Sequence, residues 1–153
     1  MTNEEFVRQL SDAEKSLYRV AKSILKNDED CADAVQSAAL KAFDKLHTLK
    51  NEKYFRTWLT RILINESYLI LRGRREQVPY EEYMEGQEST TEYSEVFVAL
   101  MELEDMYRVP FSLHYIEGYS IREISKLLDI SVSNVKIRLS RARAKLQVRL
   151  GGE

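Results

Sequence analysis

The stretch SIREISKLLDISVSNVKIRLSRARAKL, Ser120 to Leu146, constrains the fold more than any other part of the chain. Ser120 followed by Glu123 is a capping box, in which hydroxyl and carboxylate satisfy the free N–H groups that open a helix. Ile121, Ile124, Leu127 and Leu128 then recur at helical spacing. Asp129-Ile130-Ser131 breaks the pattern, and Ser131 is a good N-cap for a second helix. The expected structure is two helices joined by a tight turn, a helix-turn-helix whose second helix enters the DNA major groove.

The second helix can be read by face at about 100° per residue. Val135, Leu139, Ala142 and Leu146 share one side and should pack on the domain. Ser133, Ile137, Ser140, Arg141 and Ala144 lie roughly opposite, with Lys136, Arg138, Arg143 and Lys145 on the flanks. Arginine and lysine donate to guanine edges, whereas flanking cations suit phosphates, which fix orientation without reading sequence. Ile137 is the apolar exception on that outward face and suits a thymine methyl. A solvated basic helix in a helical hairpin would need only the charges; caps, turn and charge placement together favour DNA.

Net charge of −2 is unexpected for a DNA binder, but the average hides a pattern. Lys53 to Arg75 holds six basic residues and one acidic, and Ser120 to Leu150 holds eight basic and two acidic. Between them, Glu76 to Asp105 holds ten acidic residues and no basic one. Two basic blocks flanking an acidic one suit two nucleic-acid surfaces joined by a linker that avoids DNA.

Other classes find little support. No run approaches the roughly 18 apolar residues of a membrane span, and the opening MTNEEFVRQL lacks the basic and apolar regions of a secretory signal. No membrane insertion is expected, and the cytoplasm is the expected compartment. A single cysteine, Cys31, excludes an internal disulfide, and His47 and His114 have no metal-like neighbours. No P-loop, metal cluster or nucleophile–base arrangement is present. The expectation is therefore no enzyme, no metal, no cofactor and no small-molecule substrate.

Helical spacing dominates the remainder. Leu17, Val20, Ala21, Ile24 and Leu25 form one stripe, and Asp28 or Asp30 is placed to cap a helix through Ala34, Val35, Ala38, Leu40, Ala42 and Phe43. A third helix, from Lys53 or Tyr54, should align Phe55, Trp58, Leu59, Ile62 and Leu69, with Trp58 in the core and Glu66 unexplained amid the stripe. Periodicity fades after Arg75 into a segment with Pro79, Gly86 and many glutamates, which carries Tyr80, Tyr83 and Met84. Helices resume with Val96, Leu100 and Leu103, pass Pro110 through Leu113 and Ile116, and turn at Gly118. The expected fold is all-α: a helical domain over 1–75, an acidic linker over 76–95, and a helix-turn-helix domain over 96–150.

Three segments in order, CADAVQSAALKAFDKL from Cys31, YFRTWLTRILINESYLILR from Tyr54 and the helix-turn-helix, resemble the sigma-70 family of bacterial RNA polymerase sigma factors. The likeness is to its extracytoplasmic-function (ECF) group, which retains only regions 2 and 4. The resemblance runs from about Leu17 to Gln147 and fails only in the linker. It implies that region 2 binds the clamp helices of the largest polymerase subunit through Asp33 and Gln36, with Ser37 standing where glutamate is common. It further implies −10 recognition and melting by region 2. Asn65 matches the asparagine at a pocket for a flipped base, which needs edge hydrogen bonds and stacking or apolar contact. The loop His47 to Lys53 sets −10 preference in the family, and Leu49 stands where some members have an aromatic residue. Arg56, Arg61, Arg72, Arg74 and Arg75 are candidates for promoter phosphates.

Region 4 by the same resemblance reads the −35 element. Lys136 and Arg141 match base-facing positions and Arg138 and Arg143 phosphate-side positions, while Ser133, often glycine in relatives, and the variable positions Ile137 and Ser140 complete the set. The implied partners are promoter DNA, core polymerase (the clamp helices and the flap of the second-largest subunit) and an anti-sigma factor. The competing reading is a conventional helix-turn-helix regulator that is no polymerase subunit. It would place a sensor in the N-terminal half, where neither strand alternation nor a ligand motif occurs. A sigma-like protein reduced to partner binding is disfavoured by the basic recognition helix.

Overall fold

The computed structural model describes residues 1–77 and 94–151, and side chains are described except at 75–77. The chain divides into two compact units, Met1–Glu85 and Gly86–Glu153. The described residues form seven α-helices and no strand. The expected linker lies almost wholly outside the described residues, and so do its Tyr80, Tyr83 and Met84.

The first unit is a three-helix packing of α1 (Asn3–Leu25), α2 (Asp28–Asp44) and α3 (Phe55–Gln77). Helix α1 starts further upstream than its apolar stripe, because Thr2 and Glu5 close a capping box. It ends at Lys26, in the left-handed region at φ 63°. The cap of α2 is neither Asp28 nor Asp30: the Asn27 side chain accepts from the Asp30 N–H at 3.1 Å. Asp28, Glu29 and Asp30 instead occupy the first turn, where negative charge complements the helix dipole. Two 3₁₀ turns, Leu46–Thr48 and Glu52–Tyr54, carry the chain from α2 into α3.

Helix α2 buries almost nothing but Cys31, Ala34, Ala38 and Ala42. Small side chains let it approach the larger ridges of α1 (Leu17, Val20, Ile24, Leu25) and α3 (Leu59, Leu63, Ile64, Leu71). Two expected core positions on α2, Leu40 and Phe43, are 64% and 50% exposed. Phe43 still meets Phe6 edge-on at 5.7 Å between centroids, and Phe6 also meets Phe55 at 5.9 Å. On α3 the expected stripe holds at Phe55 and Leu59, with Trp58 and Ile62 half-buried, but Leu69 is exposed. The buried line runs in steps of four through Phe55, Leu59, Leu63, Ser67 and Leu71. Each step drifts about 40° on a 3.6-residue helix, so a residue in phase with Phe55 fourteen positions later points away.

The second unit comprises α4 (Glu95–Glu102), α5 (Asp105–Phe111), α6 (Ile121–Leu128) and α7 (Val132–Gly151). Ser94 caps α4 by accepting from the Phe97 N–H at 3.2 Å. Leu103 and Glu104 are extended and break α4 from α5. Arg108, 1% exposed, braces that corner, donating to the Leu103 carbonyl and, at 3.2 Å, to Asp105 Oδ1. Pro110 sits in α5, and the helix then widens into a π-turn over Ser112–Ile116, closed by the Glu117 N–H to the Ser112 carbonyl at 3.0 Å. Gly118 adopts φ +81°, the left-handed conformation glycine takes without steric cost.

The helix-turn-helix forms as its sequence indicates. Ser120 and Glu123 close the capping box of α6 with bonds of 3.0 and 3.1 Å. Asp129 ends α6 at φ 55°, a left-handed cap that aspartate tolerates. Ser131 Oγ then accepts from the Asn134 N–H at 3.0 Å to open α7. Val135, Leu139, Ala142 and Leu146 are the buried face of α7, and its later turns join Ala99, Leu100, Leu103 and Tyr107 in one apolar cluster.

Ile124 is fully buried in α6, so Ile124→Ala should cost about 2–5 kcal/mol, read as a lower urea midpoint for the second unit. Burial pushes the Cys31 thiol of the first unit up to about 12, which leaves little thiolate at pH 8. Native iodoacetamide labelling should therefore be slow, and equally slow in Ile124→Ala. Faster labelling in that variant would show that the two units do not fold independently.

Candidate nucleic-acid interface

Burial of one ridge of α7 decides which side chains reach solvent. Ser133, Lys136, Ile137, Ser140, Arg141 and Arg143 are exposed, and Ile137 keeps 47% of its surface in water although isoleucine normally avoids it. Arg138 is half-buried, and its Nε donates to Asn134 Oδ1 at 3.2 Å. Arg143 Nη1 donates to Tyr115 Oη at 2.7 Å, and Lys145 lies over the Tyr107 ring, 5.2 Å from its centroid. Among the described residues no ion pair engages Lys136 or Arg141. Arg138, Arg143 and Lys145 are thus oriented by neighbours, while Lys136 on the flank and Arg141 on the outward side remain available to an anion. Two acidic residues of this unit are occupied elsewhere, Glu102 with Arg149 at 2.8 Å and Asp105 with the buried Arg108.

In the first unit the −10 candidates fall on three surfaces, and the polymerase candidates on a fourth. Arg61, Asn65 and Arg72 are exposed on α3, and at 3.6 residues per turn they lie within about 40° of one another. Arg56 is exposed too but falls on a different side of the helix. Leu49 is half-buried in a cleft of about 540 Å³ formed with Met1, Asn3, Phe43, Leu46, His47, Lys50 and Glu52. Asn65 is not among the residues that line that cleft, so it stands apart from Leu49 there.

Asp33, Gln36 and Ser37 come together on the wall of a groove of about 500 Å³ between α2 and α3. Asp30, Ile70, Gly73 and Arg74 complete it. Arg74, a candidate phosphate ligand by sequence, is committed to the protein: Nη2 donates to Asp30 Oδ1 at 2.9 Å and Nε to Oδ2 at 3.2 Å. Asp30 is 1% exposed, and this two-pronged guanidinium–carboxylate pairing is what makes its burial tolerable. Lys41 does the same for the buried Glu66 at 2.7 Å, which accounts for a carboxylate amid the α3 stripe. Neither pair leaves a trace in sequence, because the partners stand 44 and 25 residues apart. Arg75 lies among the residues whose side chains are not described.

The described residues hold no group of three or more histidines, cysteines or carboxylates able to take a metal, and no helix long and apolar enough to cross a membrane. Two helical modules, one of them a capped helix-turn-helix with a cationic outer face, define a two-part DNA-binding protein. Comparison with known proteins makes the class specific. The family model described as Sigma-70 region 2 matches residues 11–77, and that described as Sigma-70, region 4 matches residues 93–146. The ECF RNA polymerase sigma-E factor of Escherichia coli K12 is 31% identical over 74% of this chain and 70% of its own. The RNA polymerase sigma factor SigV of Bacillus subtilis is 28% identical over 94% of this chain and 90% of its own. Among solved structures, the sigma factor RpoE of Bartonella quintana, determined in complex with the anti-sigma factor NepR, matches with TM-score 0.82 and 25% identity. That match spans 97% of this chain and 98% of the other. The chain belongs to the sigma-70 family of RNA polymerase sigma factors, in the ECF group.

The Asp30–Arg74 pair generates a test of roles on α3. Arg74→Ala removes the two-pronged guanidinium from a buried carboxylate and should destabilise the first unit by about 1–3 kcal/mol, a figure discounted for the partial exposure of Arg74, measured by urea denaturation. Arg72→Ala, two residues away and exposed, should leave the midpoint within about 0.5 kcal/mol. Equal midpoints for the two variants would remove the structural role of Arg74.

Proposed function

We propose that this chain binds core RNA polymerase and directs promoter recognition, with α7 reading the −35 element and the first unit recognising and melting the −10 element. The observation that carries the reading is the outer face of α7. Its solvent-exposed side presents Lys136 and Arg141 without ion-pair partners among the described residues, on a helix-turn-helix whose chain also matches the region 2 family model. Lys136, Arg141, Ser133, Ile137 and Ser140 are the base-side residues, and Arg138 and Arg143 hold phosphates. In the first unit, Arg61, Asn65 and Arg72 form a strip for the non-template strand, with Arg56 and Leu49 at its margins. Asp33, Gln36 and Ser37 face the clamp helices of the largest polymerase subunit, and the second unit meets the flap of the second-largest. Residues 1–75 and 96–150 are the two working domains and 76–95 the linker between them.

The mechanism follows from linkage. Each unit is small, and each contact alone is weak. On polymerase, the two units are held together at one promoter, so the second contact forms at an effective concentration set by the tether rather than by bulk protein. Phosphate contacts from both basic surfaces make binding fall with salt. The protein is an initiation factor rather than an enzyme, works where polymerase is, in the cytoplasm, and needs no cofactor. A structural relative was determined in complex with an anti-sigma factor, and a protein of that kind is the partner expected to restrain this one.

Promoter-directed transcription with purified core polymerase tests the reading. Added chain should start transcripts at a discrete set of sites. Lys136→Ala with Arg141→Ala should remove −35 selectivity, at about 1–3 kcal/mol per lost bidentate base contact, and leave polymerase binding intact. Asp33→Ala with Gln36→Ala should do the reverse. Specific DNA binding without any binding to core would instead make the chain a conventional helix-turn-helix regulator.

A further inference from the structure

Tyr115 is outside every set of candidate residues considered so far, yet among the described residues it is the hydrogen-bond partner of Arg143. It lies in the π-turn that follows Pro110, and widened turns of this kind recur at functional sites. Its ring is fixed from two sides, by Phe111 at 4.7 Å and by the edge of His114 at 4.8 Å between centroids. His114 is in turn latched, with Nδ1 2.8 Å from the Tyr119 carbonyl. A carbonyl only accepts, so Nδ1 carries the proton. Despite this support Tyr115 is 48% exposed, with its hydroxyl against Arg143.

The hydrogen-bond inventory of the pair is incomplete in a particular way. The phenol oxygen accepts from Arg143 Nη1 at 2.7 Å, and its own O–H has no protein acceptor among the described residues. Arg143 has further N–H donors beyond the one used by the phenol. Two donors side by side, one of them cationic, and no acceptor between them form an acceptor-seeking site. The acceptor that fits is a phosphate oxygen pair, which takes a forked guanidinium and an added hydroxyl at once. Position along α7 agrees. Lys136, Ser140 and Arg143 are spaced i, i+4, i+7 along one flank, with Arg143 about 10 Å along the axis beyond Lys136. The N-terminal part of a recognition helix contacts base edges, so the more distant Arg143 is at the height of the strand backbone.

We propose that Tyr115 and Arg143 form a single phosphate clamp at the edge of the −35 element, in which Tyr115 is a positioning residue for Arg143 and a direct donor to the same phosphate. The proposal rests on the reading of α7 as the DNA-reading helix. The clamp seats the recognition helix at one phosphate and adds no base discrimination of its own.

The test uses polymerase holoenzyme carrying the full chain, bound to a duplex of its mapped promoter. Wild-type binding to that duplex checks the underlying reading; its absence would sink that reading before the clamp is in question. Tyr115→Phe keeps the ring packing and should weaken binding about five-fold, with unchanged ranking of −35 sequence variants. Arg143→Ala should weaken it further and lower the salt slope by about one. In the Arg143→Ala background, Tyr115→Phe should have a clearly smaller effect, because only the direct hydroxyl contact is left to lose. Duplexes with single neutral methylphosphonates across the −35 flank should contain one position at which Tyr115→Phe loses less affinity than wild type and Arg143→Ala loses least. Wild-type affinity in Tyr115→Phe, an undiminished effect in the Arg143→Ala background, or no such position would each overturn the clamp.

Discussion

The second unit depends on one apolar ridge. Val135, Leu139, Ala142 and Leu146 are buried on α7, and at about 25 cal/mol per Å² of apolar surface no single polar contact of the helix competes with their combined burial. Once that ridge is down, the rotational setting of the helix is fixed, and every other side chain follows. Arg141 must face out and Lys136 must lie on a flank, where Arg138, Arg143 and Lys145 meet neighbours that orient them, Asn134, Tyr115 and Tyr107. The turn before α7 serves the same end. Asp129 in the left-handed region and the Ser131 cap end one helix and start the next within three residues, so the ridge meets α6 in a fixed register.

The first unit solves a different problem, which is to bring α2 against two larger helices. It does so with small side chains, and a ridge of alanines leaves little apolar area to lock the rotation of α2. Two ionic pairs supply that lock. Asp30–Arg74 and Lys41–Glu66 both join α2 to α3 across 44 and 25 residues of sequence, and both place a carboxylate that is nearly excluded from water against a partly exposed cation. A buried ion pair is seldom a net source of stability, but loss of one partner is costly. Such pairs therefore penalise wrong registers more than they reward the right one. The groove bearing Asp33, Gln36 and Ser37 is bordered by the Asp30–Arg74 pair, so its shape is held by the same device.

Where the sequence was legible, the information was local. The capping box at Ser120, the Ser131 cap and the ridge of α7 are each set by residues within a turn or two of one another, and they can be read directly. Helix ends with two candidate caps were ambiguous: Asp28 and Asp30 are reasonable, but Asn27 lies one residue earlier and takes the role. Leu69 misled because an ideal wheel ignores the drift of a seam that advances by four. The two ion pairs, the buried Arg108 and the Tyr115–Arg143 bond were illegible because each joins groups whose proximity exists only after packing. The candidate residues divide in the same way: on α7, Ser133, Ile137, Ser140 and Arg141 are exposed opposite the buried ridge, whereas Leu49 and Asn65, which lie on separate elements, line different surfaces.

Charge explains how a chain of net −2 can present a DNA-binding face. Screening at physiological ionic strength limits exposed charges to about 8 Å, so a polyanion responds to the nearest side chains and not to the sum over the chain. Within the second unit, acidic groups that would oppose DNA are partly consumed by cations that α7 does not need for reading: Glu102 pairs with Arg149 near the end of the helix, and Asp105 with Arg108 in the interior. What remains near the outward face is Lys136 and Arg141 with no acidic partner among the described residues. Pairing inside the unit therefore sharpens the local field that composition conceals, and it confines that field to the one face the apolar ridge has already turned outward.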